Sequence, residues 1–127
     1  MTEFLVDTIR RIEALDITDR IPAVDGGSFV WLATPHTTAA LVVCEADEEM
    51  LADIEHAALE LPTPFEPFRH ARGGNPNAAA HLVSALAGTQ LVLPLSQGRL
   101  ELGEWQRVVL VELDGPKQRR VLVRRLL

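Results

Sequence analysis

The chain has 127 residues, of which 47% are hydrophobic and 24% charged, a composition that suits one folded domain and excludes a disordered chain. Its 18 acidic residues outweigh 12 basic ones to a net charge of −6, which argues against a general nucleic-acid or anionic-membrane binder. The single cysteine, Cys44, excludes an internal disulfide and a thiolate zinc site; with no membrane-spanning run and no signal-peptide layout, a cytoplasmic protein is expected.

From Glu3 to Ile9 the residue mix is strand-like. Asp16 is an expected N-cap for a short helix or turn that ends near Pro22. Asp25-Gly26-Gly27 predicts a turn, and Ser28 to Ala33 a buried strand. The run from His36 to Glu45 is apolar on both parities in its second half, which predicts a central strand covered on both faces. Asp47 to Leu61 repeats apolar residues at three- and four-residue spacing, with acids in its first turn, and predicts a helix. Pro62, Pro64 and Pro67 open a loop to Gly74. Asn75-Pro76 is then the expected N-cap and first position of a second helix, closed by Gly88, with Leu82 and Leu86 toward a core. Three further strands are predicted: Gln90 to Leu95, Trp105 to Leu113 and Arg119 to Leu127, with a Gln97-Gly98 turn after the first. Strands joined by short turns favour an α+β domain with a mixed, mostly antiparallel sheet or sandwich and two or three helices.

Charge is uneven along the chain. Glu45 to Glu66 is acidic, whereas 117–125 carries five basic residues. The plain reading of that tail is a solvated strand face, and the alternative is a self-assembly contact with the acidic helix.

Four histidines are candidates for chemistry. His56 lies mid-helix beside acids and reads as a surface residue. His36, His70 and His81 fall in loops or near a helix start, and would form a transition-metal site such as zinc if they converged; separate surface or hydrogen-bonded histidines are the alternative. Arg72, Gly73, Gly74 and Asn75 precede a helix start, a setting that suits an anion, with a routine cap and loop as the alternative. Arg99 would add a further anion contact or merely a hairpin charge. Glu45 is a candidate base or histidine orienter, or an exposed strand end. Cys44, flanked by valines, reads as a buried inert thiol. Trp105 and Gln106 would wall a ring-bearing ligand, or Trp105 belongs to the core.

These residues in this order resemble the YjbQ-like family, whose members are often labelled secondary thiamine-phosphate synthases, over essentially 1–127. The marks are His36-Thr-Thr-Ala-Ala-Leu, Glu45, His70, Asn75-Pro-Asn-Ala-Ala-Ala-His81-Leu, Gly98-Arg-Leu-Glu-Leu-Gly-Glu-Trp105-Gln106 and Glu112-Leu-Asp-Gly-Pro116. The resemblance implies an α+β fold, a homotrimer, and a pocket where His36, His70 and His81 meet with Glu45 nearby around a metal or an anion. It also implies formation of thiamine phosphate from an aminopyrimidine diphosphate and a thiazole phosphate, with Glu45 and His70 as candidate catalytic residues. Cys44 stands where the family commonly has Asn, and 75–80 lacks the acids many members carry before the third histidine. Diphosphate chemistry suits magnesium, whereas imidazoles select zinc and its neighbours. Metal-assisted hydrolysis of a phosphorylated metabolite and non-catalytic metal or anion binding are therefore the alternative functions.

Overall fold

The computed structural model describes residues 2–70 and 76–127. Among these residues eight strands and two helices follow in chain order, with short 3₁₀ turns at Thr18–Arg20 and Thr63–Phe65. They are β1 (Thr2–Asp7), β2 (Glu13–Asp16), β3 (Phe29–Ala33), β4 (Ala39–Cys44), α1 (Glu48–Glu60), α2 (Ala78–Ala87), β5 (Gln90–Ser96), β6 (Arg99–Leu100), β7 (Arg107–Glu112) and β8 (Gln118–Leu126). One sheet runs β1-β8-β3-β5-β6 and the other β2-β7-β4. Every described pairing is antiparallel, so the α+β expectation holds.

The period-two pattern of the strands divides the core into two layers. Val30 and Leu32 of β3, Leu41 of β4, Val108 and Leu110 of β7 and Val121 of β8 meet between the sheets. Ala40, Val109 and Val111, on the opposite parity, meet Ala58 of α1 and Ala80 and Val83 of α2. Each fully buried leucine or valine of this kind contributes about 1.5–3 kcal/mol. β4 is therefore covered on both faces, as its composition predicts, but it lies at a sheet edge. β7 occupies the centre of the three-stranded sheet. Two-sided burial depends on layers above and below a strand, not on having two neighbours beside it.

The first helix follows its sequence signals closely. Asp47 Oδ1 accepts from the Met50 N–H at 2.7 Å, and α1 ends one residue before Leu61. The second helix differs from its prediction. Its N-cap is Asn77, without a side-chain capping bond, and Asn75 lies outside the described residues. Its buried face is Ala78, Ala80, Val83 and Ser84, while Leu86 is 74% exposed. Small residues let α2 approach β4, where Ser84 Oγ donates to the Ala39 carbonyl at 2.7 Å, and Leu86 turns outward. Strand β2 carried no sequence signal that predicted it. The expected strand from Trp105 begins only at Arg107: Trp105 lies in a turn and is 68% exposed, so it is not core.

The β5–β6 hairpin turns through Gln97 at φ 52° and Gly98 at φ 77°, both in the left-handed region. A Cβ on Gly98 would lie 2.8 Å from the Val24 carbonyl oxygen, which also makes glycine necessary there. Among the described residues, no helix is long and apolar enough to cross a membrane.

Candidate functional site

Strand β3 sets the position of the site by ending where it does. Ala33 pairs with Leu122 of β8, and the chain then leaves the sheet through Thr34 and Pro35. The next outward acceptor for β8 would come from a continuing β3. Instead the Arg120 N–H donates to His36 Nε2 at 3.0 Å, so an imidazole completes the ladder. A backbone N–H can only donate, so Nε2 carries no proton and the neutral ring holds its proton on Nδ1. Burial, then the positive charges of Arg119 and Arg120, push the His36 pKa below its ordinary value; Glu112 opposes this and Lys117 adds to it. His36 is thus a neutral N–H donor near pH 7.

His36 and His81 line one cleft of about 490 Å³ between the end of β3 and the face of α2. Gln90, Thr34, Thr37 and Thr89 share its wall. Gln90 Oε1 accepts from Trp31 Nε1 at 3.0 Å, which leaves the Gln90 amide nitrogen as its free donor among the described residues. The His70 ring meets the His81 ring edge-on, with centroids 4.9 Å apart and planes 80° apart. Two of the three expected histidines therefore line the cleft, and the third stacks against one of them.

Under His36 lies an ion pair that sequence reasoning missed. Glu112 is fully buried and Arg119 is 2% exposed. Arg119 Nε donates to Glu112 Oε1 at 2.8 Å, and its Nη2 donates to Glu112 Oε2, to the Thr38 carbonyl at 2.9 Å and to Thr38 Oγ1 at 2.8 Å. Thr8 Oγ1 also donates to Glu112 Oε1, at 2.7 Å. A signal for this was present: Arg119 shares the inward parity of Val121 and Val123, and Glu112 ends a strand in which it follows the apolar run Val108-Val-Leu-Val111. The basic tail is accordingly divided. Arg120, Arg124 and Arg125 are solvent-exposed as expected, and Arg119 is not.

Other candidate residues lie elsewhere. Glu45 is exposed at the far end of β4 from His36, and the six residues of β4 alone span roughly 17 Å. Because Cys44 pairs with Arg107, Trp105 and Gln106 lie at that same far end. Gln106 turns back on its own loop, its Oε1 accepting from the Gly103 N–H at 2.8 Å. Arg99 is exposed beside a separate cleft formed with Thr18, Ile21 and Leu100. Arg72, Gly73, Gly74 and Asn75 lie outside the described residues. Burial and then the Asp16 charge push the Cys44 thiol up, in keeping with an unactivated side chain. His56 is a surface residue, 3.9 Å from Glu60.

Three imidazoles around one ion would need their free nitrogens to converge. His36 has its unprotonated nitrogen occupied by Arg120, and among the described residues no three His, Cys, Asp or Glu side chains are placed to hold an ion. The cleft is instead lined by His36, His81, Gln90 and three threonines, side chains that offer N–H and hydroxyl donors. That donor set fits an oxyanion better than a cation.

Comparison with known proteins gives a consistent result. The family described as "UPF0047 protein YjbQ-like" matches residues 2–126. A UPF0047 protein of Archaeoglobus fulgidus is 40% identical over 128 residues, covering 98% of this chain and 99% of its own. The UPF0047 protein YugU of Bacillus subtilis is 32% identical over 128 residues, covering 94% and 93%. A conserved hypothetical protein of Thermus thermophilus superposes with a TM-score of 0.87 at 36% identity, covering 99% of this chain and 100% of its own.

Proposed function

This chain belongs to the YjbQ-like UPF0047 family, and on that premise we propose that its histidine-lined cleft binds a phosphate-type oxyanion carried by a small metabolite. The observation that supports this most directly is the bond from Arg120 N–H to His36 Nε2, which leaves the imidazole as a neutral donor. His81, the Gln90 amide nitrogen and the Thr37 and Thr89 hydroxyls share the same wall. Donors with few competing acceptors select an acceptor-rich group, and a phosphate ester or diphosphate is the commonest such group in metabolism. Arg72 and the glycines beside it adjoin His70 in sequence, and this reading gives them the same anion.

The reaction suggested by the family resemblance is transfer of an aminopyrimidine methylene from diphosphate to the nitrogen of a thiazole phosphate. The C–O bond to diphosphate breaks, the C–N bond of thiamine phosphate forms, and diphosphate leaves. Cleft donors would stabilise the charge developing on that leaving group. Glu45 and His81 lie at opposite ends of β4, so Glu45 reaches such a site only from a second copy. A homotrimer, which the resemblance implies, belongs to the same reading and is tested by sedimentation.

Titration with inorganic phosphate and with pyrophosphate checks the binding claim. Saturable binding is expected in the wild type, weakened about tenfold or more in His36→Ala and His81→Ala, the loss of one hydrogen bond to a charged group. Equal binding by the variants would place the anion elsewhere. Elemental analysis runs alongside: stoichiometric transition metal that disappears in His36→Ala, His70→Ala and His81→Ala would move the site to metal chemistry. For the transferase step, thiamine phosphate is followed from the two precursors with Mg²⁺. Synthesis that survives the triple-alanine variant does not belong to this cleft.

A further inference from the structure

Four hydroxyl-bearing residues are buried in this chain: Thr8, Thr34, Thr38 and Ser84. Three of their hydroxyls have partners. Thr8 Oγ1 bonds Glu112, Thr38 Oγ1 accepts from Arg119, and Ser84 Oγ bonds the Ala39 carbonyl. Thr34 is the exception: it is 3% exposed, and its Oγ1 is buried without a hydrogen-bond partner among the described residues. Burial of a hydroxyl without a partner is unfavourable, and such a group in a native fold calls for an explanation.

Position supplies one. Thr34 lines the His36–His81 cleft. Its N–H donates to the Thr89 carbonyl at 3.0 Å, which fixes its backbone at the last rung of the β3–β5 ladder, just before the chain leaves for Pro35 and His36. Its backbone is therefore held rigidly while its side-chain donor is unused, two residues from the imidazole donor. A change of χ1 rotamer swings the hydroxyl by about 120° around Cβ, so the donor can be re-aimed without movement of the main chain. Valine at this position would match the shape and avoid the unpaired hydroxyl. The chain keeps threonine where an apolar isostere would suit the unliganded fold better.

We infer that the Thr34 hydroxyl is a ligand contact of the cleft, donating to an oxygen of the bound anion beside His36. This inference rests on the oxyanion reading of the cleft, and it assigns that anion a donor from the residue that follows β3, in addition to those from His36 and α2. It further makes Thr34 a specificity residue: a ligand without an acceptor at that place leaves the hydroxyl unpaired, and sites built this way discriminate strongly.

The full chain is titrated with inorganic phosphate and pyrophosphate as wild type, Thr34→Val and Thr34→Ser, and each protein is melted without anion. Thr34→Val should bind about tenfold more weakly or worse, with a melting temperature equal to or above that of the wild type. Thr34→Ser keeps the donor and should stay within about threefold of wild-type affinity by the same reasoning. Unchanged binding by Thr34→Val overturns this inference alone and leaves the oxyanion reading standing. Absence of binding by the wild type overturns both. A lower melting temperature in Thr34→Val assigns the hydroxyl a structural partner and also overturns the inference.

Discussion

Replacement of Arg119 by methionine is expected to cost about 3–5 kcal/mol of folding stability, measured by urea denaturation at pH 7. The size follows from what is left behind. Glu112 is fully buried, and without Arg119 its charge faces an apolar layer with only Thr8 and two backbone N–H groups as partners. The double variant Glu112→Gln/Arg119→Met should be less destabilised than Arg119→Met, because no unpaired charge remains. A cost near zero for the single variant would mean that water reaches the pair. The same substitution should loosen the site, since Arg119 holds Thr38 and its neighbour Arg120 supplies the N–H that fixes His36.

That cost should depend on pH in a definite direction. Burial pushes the Glu112 carboxyl up, but hydrogen bonds from Arg119, Thr8 and the Asp114 N–H, with the Arg119 charge, more than offset it and hold it below its ordinary value. A carboxylate with a depressed native pKa contributes stability that is complete above its unfolded value of about 4.3 and lost as pH falls through the native one. In Arg119→Met the charge is unwelcome instead, and protonation relieves it. The stability gap between wild type and Arg119→Met should therefore be widest near neutrality and narrow as pH drops below about 5. A gap that stays constant to about pH 3 would remove Glu112 from the account.

Gly115→Ala is the second large effect expected. A Cβ at this position would collide with the Arg10 carbonyl oxygen and lie 2.8 Å from Glu112 Cγ and 2.9 Å from Thr8 Oγ1. None of these can yield cheaply. Arg10 contributes backbone, and the other two belong to the buried network. The Gly115 N–H is also tied to the Arg11 carbonyl at 2.9 Å, so the turn cannot shift as a unit. A loss of about 3 kcal/mol or more is expected, roughly 9–18 °C in melting temperature for a chain of this length. Gly88→Ala is the comparison. Nothing lies within 4 Å of its Cβ position, so only its backbone, at φ 96° and ψ 159° in a region that side-chain-bearing residues rarely enter, opposes alanine, at about 1–3 kcal/mol. Equal melting of the two variants would show that contact at Gly115 is not the constraint.

Both effects arise in segments that are conspicuous in the sequence for a different reason. Glu112-Leu-Asp-Gly-Pro116 is one of the marks of the family resemblance, yet its glutamate is fully buried and its glycine lies against the Arg10 carbonyl and Thr8. The outward-facing members of the set, Glu45, Trp105 and Gln106, lie at the opposite end of β4 from the histidines. A sequence resemblance rests on residue types and their order. It does not separate residues that touch a ligand from those that hold the ligand-binding residues in place.

Amino-acid order by itself determined the α+β class, the span of α1 and most strand positions, and singled out His36 and His81, which line one cleft. These are consequences of local rules: period, turn chemistry and capping act within a few residues. Tertiary structure alone decided which strand is central, which face of α2 is buried, and that Arg119 points inward. Those outcomes depend on partners far away in sequence, such as Thr38 for Arg119 and Ala39 for Ser84. It also decided the role of His36. Where β3 ends was legible to within a residue, but that its departure leaves the Arg120 N–H for an imidazole to accept was not. The net charge of −6 is likewise an average over the chain. It hides an acidic segment from Glu45 to Glu66 and a basic last strand, because a net charge sums residues and a field depends on where they lie.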